Sequence, residues 1–193
     1  RLLAAVAENP RQRIEALPVL DAGDQQQVRE WGLGEHVTFA EQDVLALFAS
    51  QVDKAPDALA VVDEQGALTY RELDAAAEQL AARLRLAGVR PHARVGVVLE
   101  RSVALVVAIL ATFKASAAYL PLAADTAPQR LNDLMRDSGV EVVLADSSLA
   151  PLGAAFTVID INQRPAQTLS AVPAHALFAE SPAYVIYTSG STG

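Results

Sequence analysis

The sequence predicts an α/β fold, a largely parallel sheet with helices on both faces, preceded by a helical linker. Three observations lead to that expectation. From Glu41 onward, short apolar runs alternate with helix-length segments. The runs are apolar throughout, as in strands buried on both faces. Apolar residues make up 52% of the chain and aromatics only 5%, with Ala, Val and Leu dominant, a mix suited to helices packed on buried strands.

Residues 1–40 read differently from the rest. "RLLAAVAENPRQRIEALPVL" begins as a short amphipathic helix with Leu2, Leu3, Val6 and Ala7 on one side, and Asn9-Pro10 stops it. The polar stretch "DAGDQQQVREWGLGEH" reads as a linker with a second short helix from about Asp24 to Trp31. After Glu41, "EQDVLALFASQVDKAPDA" places Val44, Leu45, Leu47, Phe48 and Val52 at mostly helical spacings, and Pro56 ends that helix. "ALAVVD" is a short strand that turns through "EQG" into "ALTY".

The clearest helix is "TYRELDAAAEQLAARLRLAG". Thr69 and Glu72 have the form of a capping box, Leu73, Ala77, Leu80 and Leu84 form an apolar stripe, and Gly88 stands at the end. "ARVGVVLE" is a buried strand, and Ser102 caps the very apolar helix that follows. Lys114, at the end of that helix, is expected to satisfy its last carbonyls. "AAYLPL" is the next strand. "APQRLNDLMRDSG" is an amphipathic helix with Pro128 in its first turn and Gly139 at its end. "VEVVLA", "FTVIDI" and "AYVIYT" are three further strand-like runs.

Composition narrows the function classes. With 193 residues there is room for one domain and a flanking segment. A formal net charge of −8 repels phosphate backbones, so no nucleic-acid partner is expected. A small polyphosphate is different, because a few backbone N–H groups hold one inside an acidic protein. Without Cys there is no disulfide, thiolate nucleophile or Cys-based zinc site. His36, His92 and His175 are scattered singly and read as surface residues, and no metal ligand is nominated. The most apolar run, Val103 to Phe113, is far shorter than the about 20 residues a bilayer requires, so no membrane partner is expected and the run reads as a buried helix. No export signal is visible.

Chemistry concentrates in "YVIYTSGSTG", Tyr184 to Gly193. An apolar strand, roughly Ala183 to Tyr187, runs into a loop of glycines and hydroxyl residues, and ligands of parallel sheets bind beyond the carboxyl ends of strands. Gly190 and Gly193 permit positive φ and close approach, while Thr188, Ser189, Ser191 and Thr192 add hydroxyl donors and no negative charge. The loop is suited to cradle phosphate. Its glycines are too closely spaced for the Walker pattern, which argues against an isolated nucleotide-binding module of that type. The competing reading is an ordinary surface loop, where Ser, Thr and Gly also collect.

The string "YTSGSTG" resembles the phosphate-binding motif of the adenylate-forming enzymes, which include acyl-CoA synthetases, luciferases and the adenylation domains of nonribosomal peptide synthetases. "LTYREL" (Leu68 to Leu73), "LERS" (Leu99 to Ser102) and "FKASAAYLPL" (Phe113 to Leu122) are similar to further stretches of the nonribosomal peptide synthetases, in order and at familiar spacing. "RLLAAVAENP…LPVL" with "VREW" resembles the end of a condensation domain and its linker. The family usually carries Gly at the position of Ser116, and Asp-Pro where this chain has Ala123-Ala124.

The resemblance implies a condensation-domain tail and linker over 1–40 and the N-terminal portion of an adenylation (AMP-binding) domain over 41–193. It implies ATP and Mg²⁺ as cofactors, an amino-acid substrate, and phosphopantetheine on a neighbouring carrier domain. The other partners it implies are the adjacent condensation and peptidyl-carrier domains of the same polypeptide, in the cytoplasm. The β- and γ-phosphates would be gripped by Thr188, Ser189, Gly190, Ser191, Thr192 and Gly193, and no residue is nominated as catalytic. A free-standing acyl-CoA synthetase is the second enzyme reading, disfavoured by residues 1–40. A non-catalytic docking or scaffold segment is the third, with Ala123-Ala124 as its main support.

In the family the motif continues through one residue into Pro-Lys-Gly, so the chain is expected to be an internal piece of a longer polypeptide and inactive alone. A parallel sheet interrupted at a strand leaves an unpaired edge, so residues 1–193 expressed alone are expected to aggregate. A cooperative thermal melt from soluble monomer would contradict that expectation.

Overall fold

The computed structural model describes residues 2–17, 19–34, 43–146, 155–163 and 181–188. The chain divides into two units, 1–40 and 41–193. The first holds α1 (Leu2–Glu8), a single 3₁₀ turn (Ile14–Ala16) and α2 (Ala22–Leu33). No residue of α1 or α2 is buried. The second helix is longer at both ends than the sequence suggests. Asp21 is its N-cap: the carboxylate accepts from the Asp24 N–H at 2.8 Å, and Asp24 accepts in return from the Asp21 N–H.

In the second unit, α3 (Val44–Lys54) is capped by Asp43, which accepts from the Ala46 N–H at 2.8 Å. The strands β1 (Leu59–Val62) and β2 (Ala67–Thr69) form an antiparallel hairpin. Then come α4 (Tyr70–Leu86), β3 (Arg94–Val98), α5 (Val103–Lys114), β4 (Ala118–Leu122), α6 (Pro128–Asp137), β5 (Val142–Ala145) and β6 (Thr157–Asp160). Local chemistry sets the boundaries as expected. Thr69 and Glu72 complete the capping box on α4, Gly88 has φ 94° beyond its end, and Ser102 accepts from the Leu105 N–H at the start of α5.

The main sheet is parallel, in the order β4-β3-β5-β6. The strands β4 and β5 lie on opposite sides of β3, and α5 and α6 pack on opposite faces of the sheet. The core shows this as two sets of side chains with the period-2 alternation of strands. On one face Val95, Val97, Val142 and Leu144 pack with Leu80 and Leu84 of α4 and with Ala108 and Ala111 of α5. On the other, Val98, Leu120, Leu122, Val143 and Ala145 pack with Leu131 and Met135 of α6. A Cβ on Gly96 would lie 3.3 Å from methyls of Val140 and Val143, a tight contact to which those side chains would have to yield by a few tenths of an ångström.

A third cluster lays the hairpin and α3 over the outside of α4 and α5, through Leu73, Ala77 and Leu110. Only part of the apolar set expected on α3 takes part. Leu45 and Phe48 pack there, whereas Val44 and Leu47 are exposed.

Two further differences have physical reasons. The "AYVIYT" run makes one parallel bridge, Tyr184 to Tyr119, on the outer edge of β4. The Tyr119 N–H donates to the Ala183 carbonyl (3.1 Å), and the Val185 N–H donates to the Tyr119 carbonyl (3.0 Å). The next N–H on that edge would belong to residue 121, two along from Tyr119. Pro121 has none, so the ladder loses a rung. Lys114, expected on the carbonyls of its own helix, instead donates to Asp74 (2.9 Å) and Glu78 (3.2 Å) of α4. The Lys114 carbonyl is taken by the buried Arg85, which also pairs with Glu78 at 2.7 Å.

Ser116 has φ 58°, in the left-handed region that favours glycine, and it is buried. A Gly here, which the resemblance leads one to expect, would adopt this conformation without strain. Ser116→Val, a β-branched side chain in that conformation and in a packed site, is expected to destabilise the domain by about 1–3 kcal/mol. Equilibrium unfolding of the two proteins checks this.

Candidate functional site

The segment leading into the predicted phosphate loop is held from two sides. Tyr184 sets its ring against Tyr119, with centroids 5.8 Å apart, and Tyr119 in turn meets Phe113 edge-on at 5.8 Å. Val185 packs on the α6 side of the sheet. Tyr187 sends its hydroxyl to the last turn of α6, where it donates to the Asp137 carboxylate and lies 3.4 Å from the Leu134 carbonyl. The hydrogen bond to Asp137 pushes the phenol above its ordinary value, and desolvation adds to the shift.

Of the six predicted site residues, Thr188 is described and exposed, directly after this anchored segment. Ser189, Gly190, Ser191, Thr192 and Gly193 lie outside the described residues. Neither Tyr187 nor Asp137 stands out in the sequence. A phenol one residue before a hydroxyl-rich loop was the available signal, but its partner lies about 50 positions away.

Other polar groups serve the scaffold. One carboxylate of Asp63 accepts from the Gln65 and Gly66 N–H groups of the hairpin turn and from the Val103 N–H at the start of α5, at 2.8, 2.9 and 2.7 Å. The Val103 bond is the main cause that holds Asp63 below its ordinary 3.8. A negative charge here also complements the N-terminal end of α5. Burial would raise Glu78, but hydrogen bonds from Arg85 and Lys114 outweigh it and hold this carboxyl below its ordinary 4.5. The Thr69 N–H and hydroxyl lower Glu72 in the same way.

A cleft of about 190 Å³ lies between α4, the start of α5 and the residues after β6. Among the described residues of its wall the charged one is Arg83, already bonded to the carbonyls of Asp160 (2.8 Å) and Gln163 (2.9 Å). Burial lowers the Arg83 guanidinium from its ordinary value, opposed by the Asp160 charge. Among the described residues, no three or more His, Cys, Asp or Glu converge on a possible metal position. None of the described helices is long and apolar enough to cross a membrane.

These carboxylates make stability depend on pH in one direction. A carboxyl whose value is lowered on folding favours the folded state when ionised. Its contribution is complete above the ordinary values of 3.8 and 4.5 and is lost as pH falls through the lowered ones. The melting temperature is therefore expected to fall on acidification below about pH 4.5. The fall should be shallower in Glu78→Gln than in the native chain, as measured by calorimetry from pH 7 to 3.

The family model described as AMP-binding enzyme matches residues 48–193. Gramicidin S synthase 2 of Brevibacillus brevis is 33% identical over the whole of this chain. Bacitracin synthase 1 of Bacillus licheniformis is 35% identical, again over the whole chain. The chain spans only 4% of the length of each of those two proteins. Among solved structures, the nonribosomal peptide synthetase FmoA3 bound to α-methyl-L-serine-AMP superposes with a TM-score of 0.76 at 31% identity, over 96% of this chain and 22% of that one. The N-terminal subdomain of Klebsiella oxytoca NpsA superposes with a TM-score of 0.68 at 27% identity, over 80% of this chain and 41% of that one. The chain thus belongs to the AMP-binding enzyme family of ATP-dependent adenylate-forming ligases, and within it to the N-terminal adenylation region of the nonribosomal peptide synthetases.

Proposed function

We propose that this chain is the nucleotide-gripping first part of an adenylation domain that activates an amino acid. It would work within a longer cytoplasmic polypeptide that also carries condensation and peptidyl-carrier domains. Residues 1–40 would be the condensation-domain tail and linker, and 41–193 the adenylation portion. The observation that carries the reading is a hydroxyl- and glycine-rich stretch, Thr188 to Gly193, following a segment anchored on the edge of a parallel sheet. The complex of FmoA3 with α-methyl-L-serine-AMP adds support, since that ligand is an aminoacyl-adenylate.

In the proposed reaction the amino-acid carboxylate attacks the α-phosphorus of ATP. The bond from that phosphorus to the bridging oxygen breaks, and pyrophosphate leaves with the electron pair. The aminoacyl group then passes to a phosphopantetheine thiol, releasing AMP. Thr188, Ser189, Ser191 and Thr192 would direct hydroxyl donors at the β- and γ-phosphates, where negative charge accumulates as pyrophosphate departs. Gly190 and Gly193 would let the phosphates reach the backbone N–H groups. Mg²⁺ bound on the phosphates would spread the same charge.

The test is ATP–pyrophosphate exchange by the full polypeptide that carries this chain, run against a panel of amino acids. Exchange with at least one amino acid is expected, with none from residues 1–193 alone. Acyl-CoA formation from a carboxylic acid, with no amino acid accepted, would instead support the acyl-CoA synthetase reading. Absence of any exchange would return the chain to the scaffold reading.

A further inference from the structure

We infer that Tyr187 is a positioning residue for nucleotide binding, acting through the hydrogen bond that ties its hydroxyl to Asp137 on the last turn of α6; the inference rests on the function proposed above. Three consecutive features define how the segment before Thr188 is held. Tyr184 is fixed by its backbone bridge and by its ring contact with Tyr119. Val185 is fixed by packing on the α6 face. Beyond Val185 the ladder loses a rung, because Pro121 offers no N–H. Among the described contacts, the phenol of Tyr187 is the last attachment before the hydroxyl-rich stretch begins.

The attachment point suits the task. The acceptor, the Asp137 carboxylate, lies in the final turn of α6, beside the Leu134 carbonyl, which itself accepts from the Ser138 N–H at 2.9 Å. The helix itself is fixed to the sheet by Leu131 and Met135, both buried. The hydroxyl thus replaces the missing ladder rung as the constraint on the residue that precedes Thr188. Without it, Tyr187 loses its side-chain attachment to α6, and nucleotide binding would bear the entropy of fixing that residue.

Steady-state ATP–pyrophosphate exchange by the full polypeptide carrying Tyr187→Phe tests this. The expected result is an ATP KM raised about fivefold, with kcat and the amino-acid KM changed less than twofold and the melting temperature unchanged within error. Asp137→Ala should reproduce the effect, Asp137→Asn should recover most of it, and combining Tyr187→Phe with Asp137→Ala should add nothing further. An unchanged ATP KM in an active Tyr187→Phe protein would overturn the inference while leaving the proposed function standing. So would a parallel rise of both KM values with a lowered melting temperature, since that marks a general structural role. A native protein that neither exchanges pyrophosphate nor binds AMPPNP would remove the proposed function and the inference together.

Discussion

Leu84→Ala is expected to cost about 2–5 kcal/mol of domain stability, whereas Leu86→Ala, two residues on in the same helix, should change it by no more than about 0.5 kcal/mol. Leu84 is fully buried (0% exposed) between α4 and the sheet, in the cluster with Val95, Val97 and Leu144. Leu86 is 64% exposed. The pair holds residue type, helix propensity and helix position nearly constant, so the difference between the two variants isolates burial. Urea unfolding of the complete adenylation domain provides the measurement. Equal losses would mean that α4 does not face the sheet as described.

The second large effect concerns chemistry. On the proposed function, Thr192→Ala removes one hydroxyl donor from the charge that builds on the departing pyrophosphate, and ATP–pyrophosphate exchange should fall about a hundredfold. On that function the hydroxyl serves the phosphate, and the fold should be indifferent to its loss. A lowered exchange rate with an unchanged melting temperature is therefore the expected pattern. Full exchange by Thr192→Ala would remove this hydroxyl from the phosphate grip.

The parts of the fold legible in the sequence are those decided by near neighbours. The α4 stripe of Leu73, Ala77, Leu80 and Leu84, its Thr69–Glu72 cap and the Ser102 cap of α5 follow from spacings of three or four residues, and all are present. Alternation of helices with fully apolar runs pointed to the parallel sheet, and two opposite crossovers cover both its faces. What stayed hidden depends on partners far along the chain. The Lys114 ammonium finds carboxylates 36 and 40 positions away, and Asp63 reaches the start of α5 from 40 positions away. Periodicity carries no information about such pairs. The candidate site was legible only as a string, "YTSGSTG"; the tether of Tyr187 to α6 emerged only once the two segments were folded together.

Pro121 also bears on how the domain is made. During synthesis β4 emerges about 60 residues before Tyr184 arrives to pair with it. At about 5–20 residues per second, that leaves the outer edge of β4 without its natural neighbour for about 3–12 seconds. A bare parallel edge is a template for another nascent chain, and polysomes bring such chains close together. With no N–H at residue 121, that edge offers a stranger one rung fewer, just as it offers one fewer to Tyr184 and Val185. The same imino acid that removes a rung beyond Val185 in the finished domain therefore also leaves the unfinished one with one site fewer for pairing with its copies on the ribosome.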